Sequence, residues 1–235
     1  MKSLVLLSLL ISAFSFNLRQ TKQNYDSYVM AVQWANGYCS AKGCGGKDAG
    51  VPKNTMTIHG LWPSLKNGNR LKECTSGVKI TETDPSLFSE MRTYWPSFAK
   101  SNTDFWGHEY NKHGYCMVEE KGWKGYEDYF RAVLDLHKST YKDLMTKAFG
   151  NTAGTKTLSY EEFRTGVRKV INNAVINMKC SNGIITELYF YLEKDYTPSS
   201  PSLVISLNLE NSYSNKYLNI NNSQTNIISL NSINF

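Results

Sequence analysis

Ile184-Ile185-Thr186-Glu187-Leu188-Tyr189-Phe190-Tyr191-Leu192-Glu193 alternates residue by residue, Ile184, Thr186, Leu188, Phe190 and Leu192 against Ile185, Glu187, Tyr189, Tyr191 and Glu193. A two-residue period is the mark of a strand. Upstream the period changes. Ser159-Tyr160-Glu161-Glu162 is a capping box ahead of Phe163, Val167, Val170, Ile171 and Ala174, which predicts a helix. Tyr126, Tyr129, Phe130, Val133, Leu134, Tyr141, Leu144 and Met145 follow helical spacing in one or two helices. Asp84-Pro85, an N-cap followed by proline at the first helical position, opens another that ends before Pro96. Strands return further back. Thr55-Met56-Thr57-Ile58-His59 turns Met56 and Ile58 to a core and His59 to the opposite face with Thr55 and Thr57, and it is expected to stop at Gly60-Leu61-Trp62-Pro63. Tyr28-Val29-Met30-Ala31-Val32-Gln33-Trp34 alternates as well, with Gln33 facing away from Trp34, and the Gly-rich stretch from Gly43 to Asn54 reads as loop. Strands and helices are mixed without a βαβ rhythm, so the expected fold is α+β: an antiparallel sheet packed with several helices in a single disulfide-stabilised domain.

With 235 residues and 41% hydrophobic content the chain is long enough for one domain with a substantial core. Leu4 to Phe14 form an apolar run behind Lys2, and Ala13-Phe14-Ser15 supplies small residues at the −3 and −1 positions of a cut before Phe16. Residues 1–15 therefore read as a secretory signal. A membrane anchor would need about 20 apolar residues. The net charge of +6, or +5 once Lys2 leaves, permits a polyanionic partner without requiring one. Export gives the five cysteines meaning, because disulfides persist outside the cytosol. Cys39 and Cys44 are near enough to close a small loop, Cys74 with Cys116 would tie a mid-chain loop to the segment around His108, and Cys180 is left over; spacing does not choose among connectivities. Residues 16–200 form the expected domain. In 201–235 the composition shifts to asparagine and serine, which predicts a loose tail with one strand at Leu203–Leu209 and an N-glycosylation sequon at Asn221-Asn222-Ser223.

Chemistry concentrates in His108-Glu109-Tyr110-Asn111-Lys112-His113-Gly114-Tyr115-Cys116, which holds two of the four histidines. On a helix His108 and Lys112 share a face, and Glu109 sits over Lys112 and His113. The zinc-protease pattern H-E-x-x-H would need histidine at position 112, where lysine stands. His108 and His113, five apart, lie about 140° from each other around a helix. A metal-free acid and base site fits better than a zinc site. The plain alternative is an exposed polar helix with ion pairs worth about 0.3–0.5 kcal/mol each. Gly114 and Cys116 argue instead for a fixed connection.

Met56-Thr57-Ile58-His59-Gly60-Leu61-Trp62-Pro63 and Phe105-Trp106-Gly107-His108-Glu109-Tyr110-Asn111-Lys112-His113-Gly114-Tyr115-Cys116 together resemble the two active-site segments of the T2 family of acid ribonucleases, in the same order and about fifty residues apart. The likeness runs from Tyr28 to Leu192 and takes in Gln33-Trp34, Tyr38-Cys39, Trp95-Pro96-Ser97 and Glu187-Leu188-Tyr189. It implies an endoribonuclease of single-stranded RNA, with His113 as general base, His59 as general acid, His108 on phosphate, and Glu109 and Lys112 stabilising the transition state. Trp62 matches a residue that stacks on the base 5′ to the cut, and Gln33 and Phe105 match residues around the 3′ base. Ser64 stands where some relatives carry a base-selecting acid, Gly45 where many have a second adjacent cysteine, and Tyr191 at a late position where the cysteine matched by Cys180 finds its partner. The C-terminal staple is thus missing, at a cost of a few kcal/mol if nothing compensates. Trp34, Trp95 and Trp106 are read as core, and His137 as a packed or surface residue.

The chemistry agrees with the likeness. Cleaving RNA through its own 2′-hydroxyl needs a base for that proton and an acid for the leaving oxygen, and histidine titrates in the right range. No cofactor or metal is expected. The expected partner is single-stranded RNA; DNA lacks the nucleophile. The product would be a 2′,3′-cyclic phosphate and then a 3′-phosphate, made by a monomer that binds no membrane, is secreted or is held in a lysosomal or vacuolar lumen. The rivals are a catalytically silent RNA-binding or storage protein on the same scaffold and, behind it, a zinc hydrolase.

Overall fold

A computed structural model describes residues 24–45, 50, 52, 54–66, 71, 74, 76–150, 157–172 and 174–199, and the backbone of 227–229. The signal at 1–15, the strand expected at 203–209 and the Asn221 sequon lie outside the described residues. Strand β1 (Ser27–Trp34) runs antiparallel to β2 (Met56–Ser64) on one side and to β5 (Ile184–Leu192) on the other. Tyr28, Met30, Val32 and Trp34 are fully buried, on the same face as their ladder partners Leu61, Ile58, Met56, Leu188, Phe190 and Leu192. That face is the core layer. The opposite face carries Ala31, Gln33, Thr57, Glu187 and Tyr189. Strand β4 (Ile176–Ser181) pairs antiparallel with β5, and β3 (Thr157–Ser159) pairs antiparallel with β6 (Ile227–Ser229). One parallel link, Ile184 with Ser229, joins β6 to β5 and gives the order β2-β1-β5-β6-β3.

The helices signalled at Asp84-Pro85, over Tyr126 to Met145 and at Ser159-Glu162 form, and two short helices that the sequence did not signal join them. Asp84 accepts hydrogen bonds from the Ser86 and Leu87 N–H groups at 2.9 and 3.2 Å, opening α2 (Pro85–Tyr94); such a cap contributes about 1 kcal/mol. Short helix α1 (Ala35–Lys42) follows β1, and α3 (Asn102–Lys112) is capped by Ser101, which accepts from the Asp104 N–H. A 3₁₀ turn (Gly114–Met117) leads to α4 (Val118–Lys121), and α5 (Tyr126–Leu136) passes through a π-type turn (His137–Tyr141) to α6 (Leu144–Phe149). Ser159 and Glu162 form the full capping box of α7 (Tyr160–Val170). This helix ends earlier than its apolar spacing suggests: Ile171 is already extended, and Ala174 is buried beyond it. Trp95, Trp106, Phe88 and Phe130 pack ring to ring in the core, as the tryptophan expectation required, and His137 is buried with them.

Both disulfides form as the sequence suggested, Cys39 with Cys44 and Cys74 with Cys116, and Cys180 is a free, half-buried thiol pushed up to about 11 by burial. Strand β2 does not stop at Gly60. It runs on to Ser64 because β1 offers partners as far as Ser27, and because β2 is an edge strand, where Pro63 can face Tyr28 without breaking an interior ladder. Among the described residues no helix is long and apolar enough to cross a membrane.

Candidate active site

The site begins with an irregularity. Ala31 pairs with Gly60 and Val32 with Ile58, so His59 is an extra residue on β2, a β-bulge. Unbroken alternation would place Leu61 on the face of His59 and send Trp62 into the core. The bulge reverses this: Leu61 is fully buried and Trp62 is partly exposed, with its ring 5.1 Å from that of His59. The core fixes the bulge from behind. Trp95 Nε1 donates to the His59 carbonyl at 2.9 Å, and the Tyr129 hydroxyl donates to the Leu61 carbonyl at 3.1 Å.

Helix α3 supplies the second half. Phe105, His108, Glu109 and Lys112 recur at the spacing of one helical stripe, and the Phe105 ring lies 5.7 Å from that of His59. Glu109 is 1% exposed. The sequence put it over Lys112 and His113; its carboxylate instead reaches β2, where Oε2 accepts from Trp62 Nε1 at 2.8 Å and Oε1 lies 3.6 Å from His59 Nε2. His108 is exposed at the outer edge of the stripe. His113 is no longer helical, with φ −133° and ψ −56°, so the 140° separation from His108 does not apply. Its N–H still donates to the Glu109 carbonyl at 3.0 Å, and its ring lies 5.1 Å from Trp62. The Trp62 ring thus neighbours both imidazoles. Two constraints hold His113 at this turn. A Cβ on Gly114 would come within 2.8 Å of the Tyr129 ring, and the Cys74 N–H donates to the Lys112 carbonyl at 3.2 Å beside the Cys74–Cys116 bridge.

Strand β5 adds residues that the sequence reading did not assign to the site. Lys179 pairs with Glu187 and Cys180 with Ile185, so Thr186 is a second bulge, directly before Glu187. Glu187 Oε2 lies 3.3 Å from His59 Nδ1 and accepts the Tyr189 hydroxyl at 2.5 Å, while Oε1 lies 3.4 Å from Lys179 Nζ. The available signal was Glu187 and Tyr189 at i and i+2, two polar groups on one face of an otherwise apolar strand. Gln33 pairs with Glu187 on one side and Thr57 on the other; it is on the site face but buried, and its Oε1 has no hydrogen-bond partner among the described residues. The structure thus gathers His59, Trp62, Phe105, Glu109 and His113 around one ring cluster, with Lys112 and His108 along the same stripe and Gln33 in the floor.

Electrostatics follow from burial and pairing. Burial works to lower the His59 pKa, but the hydrogen bond to Glu187 and the charges of Glu109 and Glu187 outweigh it and raise it above the ordinary histidine value. Burial likewise works to raise Glu187; the contact with His59, the Tyr189 hydroxyl and the Lys179 charge win and pull it down to about 2. For Glu109 burial prevails over the His59 charge and the Trp62 hydrogen bond, and its pKa goes up. The outcome is an imidazole flanked by two buried carboxyl groups and favoured in its protonated form, beside an indole that also neighbours His113.

Residues 25–200 match the Ribonuclease T2 family. Ribonuclease Rh of Rhizopus niveus is 32% identical over 190 residues, 72% of this chain and 73% of that one. Ribonuclease 1 of Arabidopsis thaliana is also 32% identical, over 179 residues, 72% of this chain and 75% of that protein. The crystal structure of RNase NT in complex with 5′-AMP superimposes with a TM-score of 0.61 at 26% identity, covering 75% of this chain and 89% of that one. With the family matched across both bulged strands and the whole of α3, this chain is a ribonuclease and belongs to the ribonuclease T2 family.

Proposed function

We propose that the chain is an endoribonuclease that cuts single-stranded RNA by metal-free transphosphorylation. What carries the reading is the placement of His59 and His113 on separate elements, each ring 5.1 Å from Trp62. His113 takes the proton of the ribose 2′-hydroxyl, whose oxygen bonds to phosphorus; the bond from phosphorus to the 5′-oxygen breaks, and that oxygen takes a proton from His59. The product is a 2′,3′-cyclic phosphate. Water then attacks it with the histidines in exchanged roles, leaving a 3′-phosphate. His108 binds phosphate, Lys112 meets the negative charge that builds on the phosphorane, and Glu109, beside His59 and bonded to Trp62, helps stabilise the transition state. Trp62 stacks on one base, and Phe105 with Gln33 lies around the other. The relative bound to 5′-AMP supports a nucleotide pocket in this fold. A secreted or luminal protein is supported by the apolar run after Lys2 and by the two disulfides. The domain spans 16–200 behind a signal at 1–15, acts as a monomer, and leaves DNA intact.

The test is incubation of the purified protein with RNA at acid pH in EDTA, with products mapped on a defined oligonucleotide. Cyclic-phosphate ends are expected. His59→Ala and His113→Ala should each lose about 10²–10⁴-fold in rate. RNA that is bound but uncut would make this a silent binding protein, and activity that only added metal restores would end the metal-free reading.

A further inference from the structure

We propose that Glu187 is a positioning residue for the proton donor, holding the His59 imidazole by its Nδ1–H so that Nε2 carries the transferable proton toward the phosphate. This rests on the reading of His59 as general acid. The carboxylate belongs to β5 and the imidazole to β2, with β1 between them. They can meet because the floor beneath is low: Gly60, Ala31 and Tyr189 form one row across the three strands, and the first two offer only a hydrogen and a methyl group. Each strand around the pair contributes a constraint. The Thr186 bulge, whose hydroxyl donates to the Lys179 carbonyl at 3.1 Å, sets the register of Glu187, and the His59 bulge turns the imidazole toward it.

Glu187 is 2% exposed, and an unpaired carboxylate so deep would cost several kcal/mol. Its partners answer that cost before substrate arrives: Tyr189 on Oε2, Lys179 on Oε1 and His59 on Oε2. The two carboxylates around His59 are not equivalent. Glu109 is committed to Trp62 through Oε2, and its Oε1, at 3.6 Å from Nε2, lies beyond hydrogen-bond reach. Glu187 is within reach of Nδ1 at 3.3 Å. The Nδ1 proton is therefore engaged and the Nε2 proton is available. A neutral imidazole without this contact would divide its single proton between both nitrogens. The charged and titratable groups facing the pair are Lys179 from β4, Tyr189 from β5, Tyr38 from α1, Glu109 from α3 and Lys100 ahead of α3, with His113 beside Trp62.

The experiment compares wild type with Glu187→Gln on a dinucleotide substrate across pH, alongside NMR titration of the His59 ring and thermal unfolding. The expected result is a 10- to 100-fold lower kcat with KM within about twofold, and an alkaline limb of kcat/KM displaced about one to three pH units downward, with the His59 titration moving in step. A folded variant with an unmoved alkaline limb and an unmoved His59 titration overturns the proposal. If Glu187→Gln does not fold, Glu187→Asp decides: it keeps the charge and withdraws the carboxylate by one methylene, and a kcat within twofold of wild type overturns the proposal. A wild-type protein that leaves RNA intact removes the general-acid reading and this proposal with it. An active wild type with an indifferent Glu187→Gln removes this proposal alone.

Discussion

The indole Nε1–H of Trp62 donates to Glu109 Oε2 over 2.8 Å, joining the bulged strand β2 to helix α3 at a carboxylate that water barely reaches. A hydrogen bond to a buried charge contributes about 1.5–3 kcal/mol, and its loss leaves the carboxylate short of a partner. Trp62→Phe keeps a ring beside His59 and His113 but removes the donor. The variant should lose about 2 kcal/mol in urea unfolding and at least tenfold in kcat/KM. Unfolding indistinguishable from wild type would mean that water or a neighbour replaces the indole.

Gly60 is the reason this contact can form. A Cβ there would lie 2.3 Å from Glu109 Oε2 and 2.5 Å from Trp62 Nε1, closer than real contacts allow. Gly60→Ala must push the carboxylate and the indole apart at the point where they meet. The expected result is a folded protein destabilised by about 1–3 kcal/mol and at least 100-fold less active, since a displacement near 1 Å is enough at a reacting centre. Activity within threefold of wild type would show that the site relaxes without cost.

The His59–Glu187 pair has a defined pH window. The His59 pKa is raised in the fold, so its contribution is complete below the unfolded value near 6.5 and is lost as pH rises through the folded value. Glu187 is lowered to about 2, so its contribution is complete above the unfolded value of 4.5 and is lost as pH falls toward about 2. Both conditions hold between about pH 4.5 and 6.5. A double-mutant cycle of His59→Ala with Glu187→Gln should give a coupling of about 1–3 kcal/mol at pH 5.5, shrinking by pH 9. A coupling equal at the two pH values would mean that packing, and not charge, links the pair.

Much of this site was legible in the order of residues, and the reason is local. The Asp84 cap, the Ser159–Glu162 capping box and the alternation of Tyr28–Trp34 are each decided within a few residues, and each formed as expected. The two cysteine pairs were legible only as candidate closures, since spacing did not choose among connectivities. What escaped was decided between strands. Nothing in Ile58-His59-Gly60 announces a bulge, because a bulge is a mismatch of register with β1. Without it, alternation sends Leu61 and Trp62 to the wrong faces. Glu187 escaped for a related reason: most of β5 is buried on both faces, so its alternation did not say which set of residues would meet His59. The helix through His108 was legible, but its end at Lys112, which frees His113 from the helical face, depends on Gly114 lying against Tyr129.

His137 adds an acid liability away from the site. It is fully buried, and burial pushes its pKa down to about 3. The unfolded chain takes up a proton below about 6.5 that the fold refuses until about pH 3, so stability falls as the solution is acidified across that window. At about 1.4 kcal/mol per pH unit, the loss from pH 7 to pH 4 amounts to about 3 kcal/mol. His137→Leu should flatten the acid side of the stability curve by that amount in urea titrations while leaving kcat unchanged. Parallel curves for variant and wild type would assign the acid loss to other groups.

The two disulfides should differ in weight, because one closes a far longer loop than the other. Cys74 and Cys116 are separated by 42 residues, Cys39 and Cys44 by five. Loop-closure entropy then gives about 4 kcal/mol for the first and about 2 kcal/mol for the second. The first also ends two residues beyond Gly114, and the backbone of Cys74 holds the Lys112 carbonyl, so its loss frees the turn that carries His113. Cys74→Ser with Cys116→Ser should therefore lower both unfolding free energy and kcat/KM. Cys39→Ser with Cys44→Ser, at the far end of α1, should lower stability by the smaller amount and leave kcat/KM within about twofold. Equal losses of activity in the two double variants would show that His113 is held by the helix packing alone and that the bridge contributes only to the unfolded state.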